Sequence, residues 1–211
     1  MKEALTESHK FKLWKKNLLA NGLTVHDVEE IYTRYRHNGE ALFSLLLLNA
    51  SSPEGDKIPP ICFLKGEVVS VMVILIDEAT EDKYTLLVKQ RRICTGGLLY
   101  EPVAGMVDST DLPHDVAVKE IEEETGLTVD PSAVFQLHEE PYYVSTGTSD
   151  EAMYLFYTEL RLPMSTIQSY HGRKTGVDHE HEVIWTHIAT MDEAKRLITN
   201  TNGLLNLYLY L

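Results

Sequence analysis

Cysteines and long apolar segments are scarce in this sequence. Its only cysteines, Cys62 and Cys94, are too few for a disulfide framework or a closed cysteine-rich zinc site. The longest apolar runs, at Leu45–Leu48 and Val71–Ile76, fall far short of the roughly 20 residues of a membrane-spanning helix. Residues 1–12 are charged where a secretory signal would be apolar. We therefore expect two reduced thiols, a cytoplasmic location and no membrane partner.

Basic residues are also scarce. Lys and Arg together number 19 against 32 Asp and Glu, which gives a formal net charge of −13 at pH 7. This charge repels nucleic-acid backbones and anionic membranes, so it disfavours a protein that coats DNA or RNA. A small anionic ligand remains compatible with the charge if a cation mediates the contact.

The chain of 211 residues is long enough for one large domain or for one domain with an arm. Residues Ser51–Pro60, with three prolines and a glycine, are typical of a linker. We therefore predict an arm at residues 1–55 and a main domain at residues 56–211. The arm is predicted to contain an amphipathic helix and a β-hairpin whose turn is the Asn-Gly pair. These elements are expected at Glu3–Ala20, Ile31–Tyr35, Asn38–Gly39 and Ala41–Leu48.

The main domain mixes strands with one clear internal helix at Pro113–Thr125, which favours the α+β class. Pro113 suits the first helical turn, and Gly126 is placed for a left-handed cap at the helix end. The tail Met191–Leu211 is predicted to be helical, although its apolar end LLNLYLYL is compatible with a helix or a strand. Strands are expected at Glu67–Ile76, Tyr84–Gln90, Leu98–Val103, Val134–Tyr143, Ala152–Leu160 and Val183–Ile188.

Three glutamates fall on one face of the internal helix. At roughly 100° per residue, Glu120, Glu123 and Glu124 share that face, whereas Glu122 points elsewhere. An apolar stripe that could pack on a sheet lies about a third of a turn away, at Ala117, Val118 and Ile121.

Acids crowded in the C-terminal half of a helix repel one another and oppose its dipole. One interpretation is a solvated acidic face. The other is a site for a hard divalent cation such as Mg²⁺ or Mn²⁺, which takes carboxylate oxygens and keeps room for water and phosphate. Periodicity alone leaves both interpretations open.

Residues 105–127 resemble the Nudix box, G-x5-E-x7-R-E-U-x-E-E-x-G-U, where U is aliphatic. Two positions depart from the pattern, since Asp111 replaces its first Glu and Lys119 replaces its Arg. Lysine keeps the positive charge but loses the bidentate fork of arginine. The matching positions are Gly105, Glu120, Ile121, Glu123, Glu124, Gly126 and Leu127.

The flanking sequence is similar to the "Q-x-R … E-L-P-A-G-x-x-D" stretch of nucleoside-diphosphate-sugar diphosphatases. This resemblance implies that Arg92 contacts the substrate and that the carbonyl of Ala104 joins Glu120, Glu123 and Glu124 in binding metal. The same stretch contains two further candidates for substrate binding, Arg91 and Glu101.

Among these enzymes, the chain is most similar to eukaryotic ADP-sugar and UDP-sugar diphosphatases. The resemblance implies a Nudix-type α/β/α sandwich with a mixed sheet, Mg²⁺ with Mn²⁺ as a substitute, and a homodimer formed by the arm. The reaction it implies is hydrolysis of ADP-ribose or ADP-glucose to a nucleoside monophosphate and a sugar phosphate. UDP-sugar hydrolysis, a weakly catalytic nucleotide-sugar-binding module and a dimerising scaffold remain alternatives.

A general base for the attacking water is also implied. In related diphosphatases it follows the box on a later loop, which makes Glu182 the first candidate and Glu180 the second. A third candidate, Glu151, follows a Ser/Thr-rich loop that resembles an element over the site, and Glu123 is catalytic through its metal role. For Glu182, Glu180 and Glu151 the alternative is an ordinary surface acid.

Overall fold

A computed structural model describes residues 1–107, 111–176 and 183–211. The chain divides into two compact units. The first unit comprises Met1–Val68, Met106–Asp111 and Tyr142–Met153, and the second unit comprises Val69–Gly105, Leu112–Pro141 and Tyr154–Leu211. The division predicted between residues 55 and 56 stays a prediction.

The predicted hairpin is confirmed in the first unit, and the helix predicted over Glu3–Ala20 is present as two helices, because Ser8 is extended and caps the second one. The elements are α1 (Glu3–Thr6), α2 (His9–Ala20), β1 (Thr24–Tyr35), β2 (Ala41–Ser51) and β3 (Ile61–Leu64). The strands form an antiparallel sheet in the order β1-β2-β3. Strand β3 was not predicted, since it directly follows the proline-rich segment.

The later elements match most of the predicted strands and the predicted α+β class. They are β4 (Glu67–Asp77), β5 (Lys83–Arg91), β6 (Leu98–Glu101), β7 (Val103–Met106), α3 (Pro113–Thr125), β8 (Val134–Gln136), β9 (Tyr142–Tyr143), β10 (Ala152–Leu162), α4 (Met164–Ser169), β11 (Lys174–Thr175), β12 (Ile184–Thr190), α5 (Met191–Leu197) and α6 (Thr201–Tyr210).

The second unit is built on a mixed sheet with the order β11-β12-β5-β4-β10-β8. Strand β6 pairs with β5, and β7 pairs with β4. In the first unit, β9 pairs with Ala152 and Met153.

Helices cover both faces of this sheet. The Phe156 ring lies 6.1 Å from the ring of His114 in α3, whereas the Tyr157 ring lies 5.4 Å from that of Tyr210 in α6. Because consecutive residues of a strand point to opposite faces, α3 and α6 lie on opposite sides of β10. The predicted α/β/α sandwich is therefore confirmed.

Three further predicted elements are interrupted. The strand predicted over Leu98–Val103 is divided at Pro102 into β6 and β7, which pair with different strands. The strand predicted over Val134–Tyr143 is wrong in its middle, since Gln136 Nε2 donates to the carbonyls of His138 and Glu139 and closes a turn there. The predicted C-terminal helix is two helices, because Ile198 leaves the helix and pairs with Tyr100 through an isolated bridge. In the described ranges, every helix is too short or too polar to cross a bilayer.

Candidate active site

Helix α3 begins at Pro113 and ends before Gly126, as its sequence predicts. Gly126 has φ +72°, the left-handed conformation that glycine adopts without steric cost, and its N–H donates to the carbonyl of Glu122. The buried apolar residues of the helix are Val116, Ala117 and Ile121. Val118, which was predicted in this stripe, is only half-buried.

The glutamates of α3 differ in exposure as the helical-face assignment requires. Glu122 is exposed, Glu120 and Glu123 are half-buried, and Glu124 is buried with 6% of its surface exposed. The Oε2 atom of Glu123 lies 3.0 Å from Nζ of Lys119, one helical turn earlier. This pair occupies the positions at which the Nudix pattern has an Arg and a Glu.

Strand β7 supplies backbone groups directly beside two of these acids. The N–H of Ala104 donates to Oε2 of Glu124 at 3.0 Å. A Cβ atom on Gly105 would lie 2.0 Å from Oε1 of Glu120, so only a glycine lets that side chain rest against the strand. The structure therefore brings Ala104, Gly105, Glu120 and Glu124 together.

The donor chemistry of these groups fits a hard divalent cation, because carboxylate and carbonyl groups offer only oxygen ligands. The missing side chain of Gly105 lets the Glu120 carboxylate lie against the strand that carries the Ala104 carbonyl, which places these oxygen donors near one another. Within the described ranges, no three His, Cys, Asp or Glu side chains converge closely enough to hold one ion. Glu123 pairs with Lys119, and Glu124 accepts from the amide of Ala104. These separate partners keep the two mutually repelling carboxylates apart.

The predicted substrate-binding residues Arg92 and Glu101 form an ion pair. Nε of Arg92 lies 2.8 Å from Oε2 of Glu101, whose side chain is nearly buried while that of Arg92 is 42% exposed. The other carboxylate oxygen of Glu101 accepts from Nδ2 of Asn200 at 2.8 Å. Arg91 turns to its own loop, where Nη1 donates to the carbonyl of Gly96 at 2.7 Å.

Asn200 was missed by the sequence reasoning. A local signal did exist, since Asn is favoured before the first residue of a helix and Asn200 precedes α6. Nothing local indicates its bond to Glu101.

The candidate bases fall in different places. Glu180 and Glu182 lie outside the described residues, so their assignment stays a prediction. Glu151 belongs to the first unit, where Oε1 lies 2.6 Å from Nζ of Lys65. The preceding residue, Asp150, accepts from the N–H groups of Lys65 and Gly66.

Burial raises the pKa of Asp150 above the ordinary aspartate value, although those two backbone N–H groups and the charge of Lys10 oppose the rise. Ionised Asp150 is therefore less stable in the folded chain than in water.

Comparison with known proteins agrees with this fold and this motif. A relative from Arabidopsis thaliana, "Nudix hydrolase 14, chloroplastic", is 29% identical over 169 residues, which cover 74% of this chain and 52% of the relative. The chain thus spans about half the length of that protein. A crystal structure described as an ADP compounds hydrolase matches with a TM-score of 0.62 at 16% identity, covering 89% of this chain and 91% of that one; this likeness shows the fold alone.

The sequence model of the NUDIX domain matches residues 66–203. This segment includes α3 and its acids, β7, Arg92 and Glu101. The chain therefore belongs to the NUDIX domain family.

Proposed function

We propose that the chain is a Mg²⁺-dependent hydrolase that cleaves the diphosphate bond of a nucleoside diphosphate sugar, with ADP-ribose or ADP-glucose as the first candidates. The packing of α3 against β7 carries this proposal. In this packing, the Glu120 side chain lies against Gly105, and the Glu124 carboxylate accepts from the N–H of Ala104. Residues of the family motif are therefore in contact with one another, and a side chain at position 105 would displace Glu120.

Glu120, Glu123, Glu124 and the carbonyl of Ala104 are proposed to hold the divalent ion, which Mn²⁺ could replace. Such an ion neutralises diphosphate charge and lowers the pKa of a water that it binds. The chain's own contribution is to keep the acids on one helical face. Lys119 is proposed to hold Glu123 until the ion arrives, since the two already form an ion pair.

Arg92 is the proposed contact to the diphosphate. Its Nε is engaged by Glu101, and within the described part of the chain its two Nη groups have no hydrogen-bond partner. A guanidinium presents its Nη donors in a planar fork that matches phosphate oxygens. An arginine whose Nε is held by Glu101 and whose side chain is 42% exposed therefore suits recognition of the substrate's diphosphate. Arg91 is a second, weaker candidate because its Nη1 is held by Gly96.

Glu182 is the proposed general base, with Glu180 as its nearest alternative. Glu151 is less suited, because its carboxylate is already engaged in an ion pair of 2.6 Å with Lys65. Substituting each acid by Gln and measuring kcat against pH separates them. The true base is the residue whose loss removes the acidic limb of the profile.

A screen of nucleotide-sugars tests the function. The full chain is incubated with ADP-ribose, ADP-glucose and UDP-glucose, with Mg²⁺ and with excess EDTA, and the products are identified. We expect Mg²⁺-dependent release of AMP and a sugar phosphate. Release of UMP alone would indicate the alternative, a UDP-sugar diphosphatase.

The screen also distinguishes an enzyme from a binding module. A weakly catalytic module would bind a nucleotide-sugar in calorimetry without releasing a nucleoside monophosphate. No binding and no turnover with any of these compounds would contradict the proposal and favour a scaffold.

Homodimer formation through the N-terminal arm, residues 1–55, and a cytoplasmic location complete the proposal. The two free thiols, Cys62 and Cys94, support a reducing compartment.

A further inference from the structure

Asn200 is bonded through both ends of its amide group. Its Oδ1 accepts from the N–H of Gly203 at 3.2 Å and caps helix α6, while its Nδ2 donates to Oε1 of Glu101 at 2.8 Å. The cap needs only the oxygen, so the contact of Nδ2 with Glu101 is a separate feature of this side chain.

Glu101 needs such a donor because it is only 8% exposed. A buried carboxylate is costly unless its oxygens accept hydrogen bonds. One oxygen accepts from Nε of Arg92 and the other from Nδ2 of Asn200, each at 2.8 Å. The carboxylate is therefore fixed from two sides, by Arg92 on one oxygen and by Asn200 on the other.

The backbone around Asn200 is packed tightly against the strand that carries Glu101. Ile198 pairs with Tyr100 through a parallel bridge. A Cβ atom on Gly203 would lie 2.4 Å from Oδ1 of Asn200 and 2.8 Å from Cδ of Pro102. Only glycine permits this approach, so the first turn of α6 is held against the residues that flank Glu101.

A second amide fixes the same helix further along. Asn206 is fully buried, and its Nδ2 donates to Oγ of Ser70 in β4 at 3.0 Å. Helix α6 is thus held against the sheet by Asn206, and Asn200 at its start donates to Glu101.

We propose that Asn200 is a positioning residue for substrate binding: it fixes the Glu101 carboxylate, which in turn orients the Arg92 guanidinium toward the diphosphate. This inference rests on the proposed function in assigning Arg92 to the substrate. Without the Nδ2 donor, the carboxylate of Glu101 rotates more freely and Arg92 loses its fixed Nε contact. Contacts made equally in the bound and transition states affect KM rather than kcat, so the loss raises KM.

The decisive variant is Asn200→Ser, which keeps an oxygen for the helix cap but has no amide donor. We expect roughly a tenfold rise in KM for ADP-ribose, the size expected for a hydrogen bond to a charged group, with kcat changed by less than about twofold. Leu204→Ala is the matched control, since the Leu204 side chain packs against the core from α6, and alanine keeps the backbone N–H that donates to the carbonyl of Asn200. It should lower the unfolding midpoint and leave KM unchanged.

A double-mutant cycle separates positioning from a general structural effect. In an Arg92→Ala background, Asn200→Ser should cause no further rise in KM, because the residue it positions is gone. An unchanged KM in the single variant, or an equal rise in both backgrounds, would overturn the proposal.

A spectroscopic readout keeps this proposal separate from the proposed function. In arginine-labelled protein, the Arg92 Nε–H resonance is assigned by its loss in Arg92→Lys. Asn200→Ser should shift it and speed its exchange with water. If wild-type protein hydrolyses no nucleotide-sugar, the proposed function fails while this measurement still tests the positioning. An unaltered resonance would refute the link between Asn200 and Arg92.

Discussion

Gly105 and Glu120 are in such close contact that a single methyl group on the glycine would overlap the carboxylate, at 2.0 Å from Oε1 and 2.1 Å from Cδ. Contacts below 3.0 Å are not made by real Cβ atoms, so one of the two residues would have to move. The glycine therefore serves the placement of the acid rather than a turn, since its backbone does not adopt the left-handed conformation.

The first prediction concerns Gly105→Ala. The added methyl group should displace Glu120 and lower turnover of the preferred nucleotide-sugar by about 100-fold, the size of loss that a misplacement of about 1 Å causes. Steady-state kinetics at saturating Mg²⁺ measures the effect, and circular dichroism checks the fold. Gly147→Ala is the control, because its Cβ would meet nothing within 4 Å. Equal activity in the two variants would contradict the role of this contact.

The second prediction compares neighbouring acids on α3. Glu123→Gln should lower kcat by roughly 100- to 1,000-fold, as expected when one electrostatic contact to the transition state is removed. The free energy of unfolding should change by less than about 0.5 kcal/mol, since the lost interaction is a partly exposed i,i+4 ion pair with Lys119, and such pairs are weak. Glu122→Gln, at an exposed position, should be nearly silent. Similar losses in both variants would refute the assignment of the helical face.

Local sequence signals predicted most helices and strands well, but they did not predict contacts between residues that are distant in the sequence. The bounds of α3 follow from Pro113 and Gly126, residues whose backbone preferences act within one turn. The bond between Asn200 and Glu101 joins residues 99 positions apart, and the bond from Ser149 to the Phe63 carbonyl joins residues 86 apart. No local pattern encodes such pairings, because they depend on how the strands assemble.

The third prediction concerns the proposed homodimer. Strand β1 lies at one edge of its sheet and exposes Ile31 and Tyr32, at 46% and 57%. The opposite edge, β3, is covered where the Phe63 N–H donates to the Thr148 carbonyl. Exposed apolar side chains on an open edge favour association, and lysine there prevents it.

The double variant Ile31→Lys/Tyr32→Lys should therefore convert the dimer to a monomer in sedimentation velocity. Ile61→Lys is the control, because Ile61 is similarly exposed, at 50%, but lies in β3. A wild-type monomer would refute the dimer itself. A dimer that persists in the double variant would place its interface away from β1.

The fourth prediction uses the buried carboxyl of Asp150, whose pKa burial raises in the folded chain. A group with a raised folded pKa binds its proton more readily when folded, so its ionised form destabilises the fold above that pKa and the cost disappears as pH falls. Asp150→Asn keeps an oxygen to accept from the Lys65 and Gly66 amides and removes the charge. We expect it to stabilise the protein at pH 7, with the gain shrinking toward pH 4.

Urea unfolding between pH 7 and pH 4 measures this difference, and Asp130 provides a control of opposite sign. The N–H and hydroxyl of Ser132 donate to Asp130, and these bonds lower its pKa. Its ionised form therefore stabilises the fold above the unfolded pKa, and that stability is lost as pH falls. Asp130→Asn should accordingly be less stable than wild type at pH 7 and converge with it in acid. If Asp150→Asn instead followed the same course as Asp130→Asn, the two amide donors would outweigh burial in setting the pKa of Asp150.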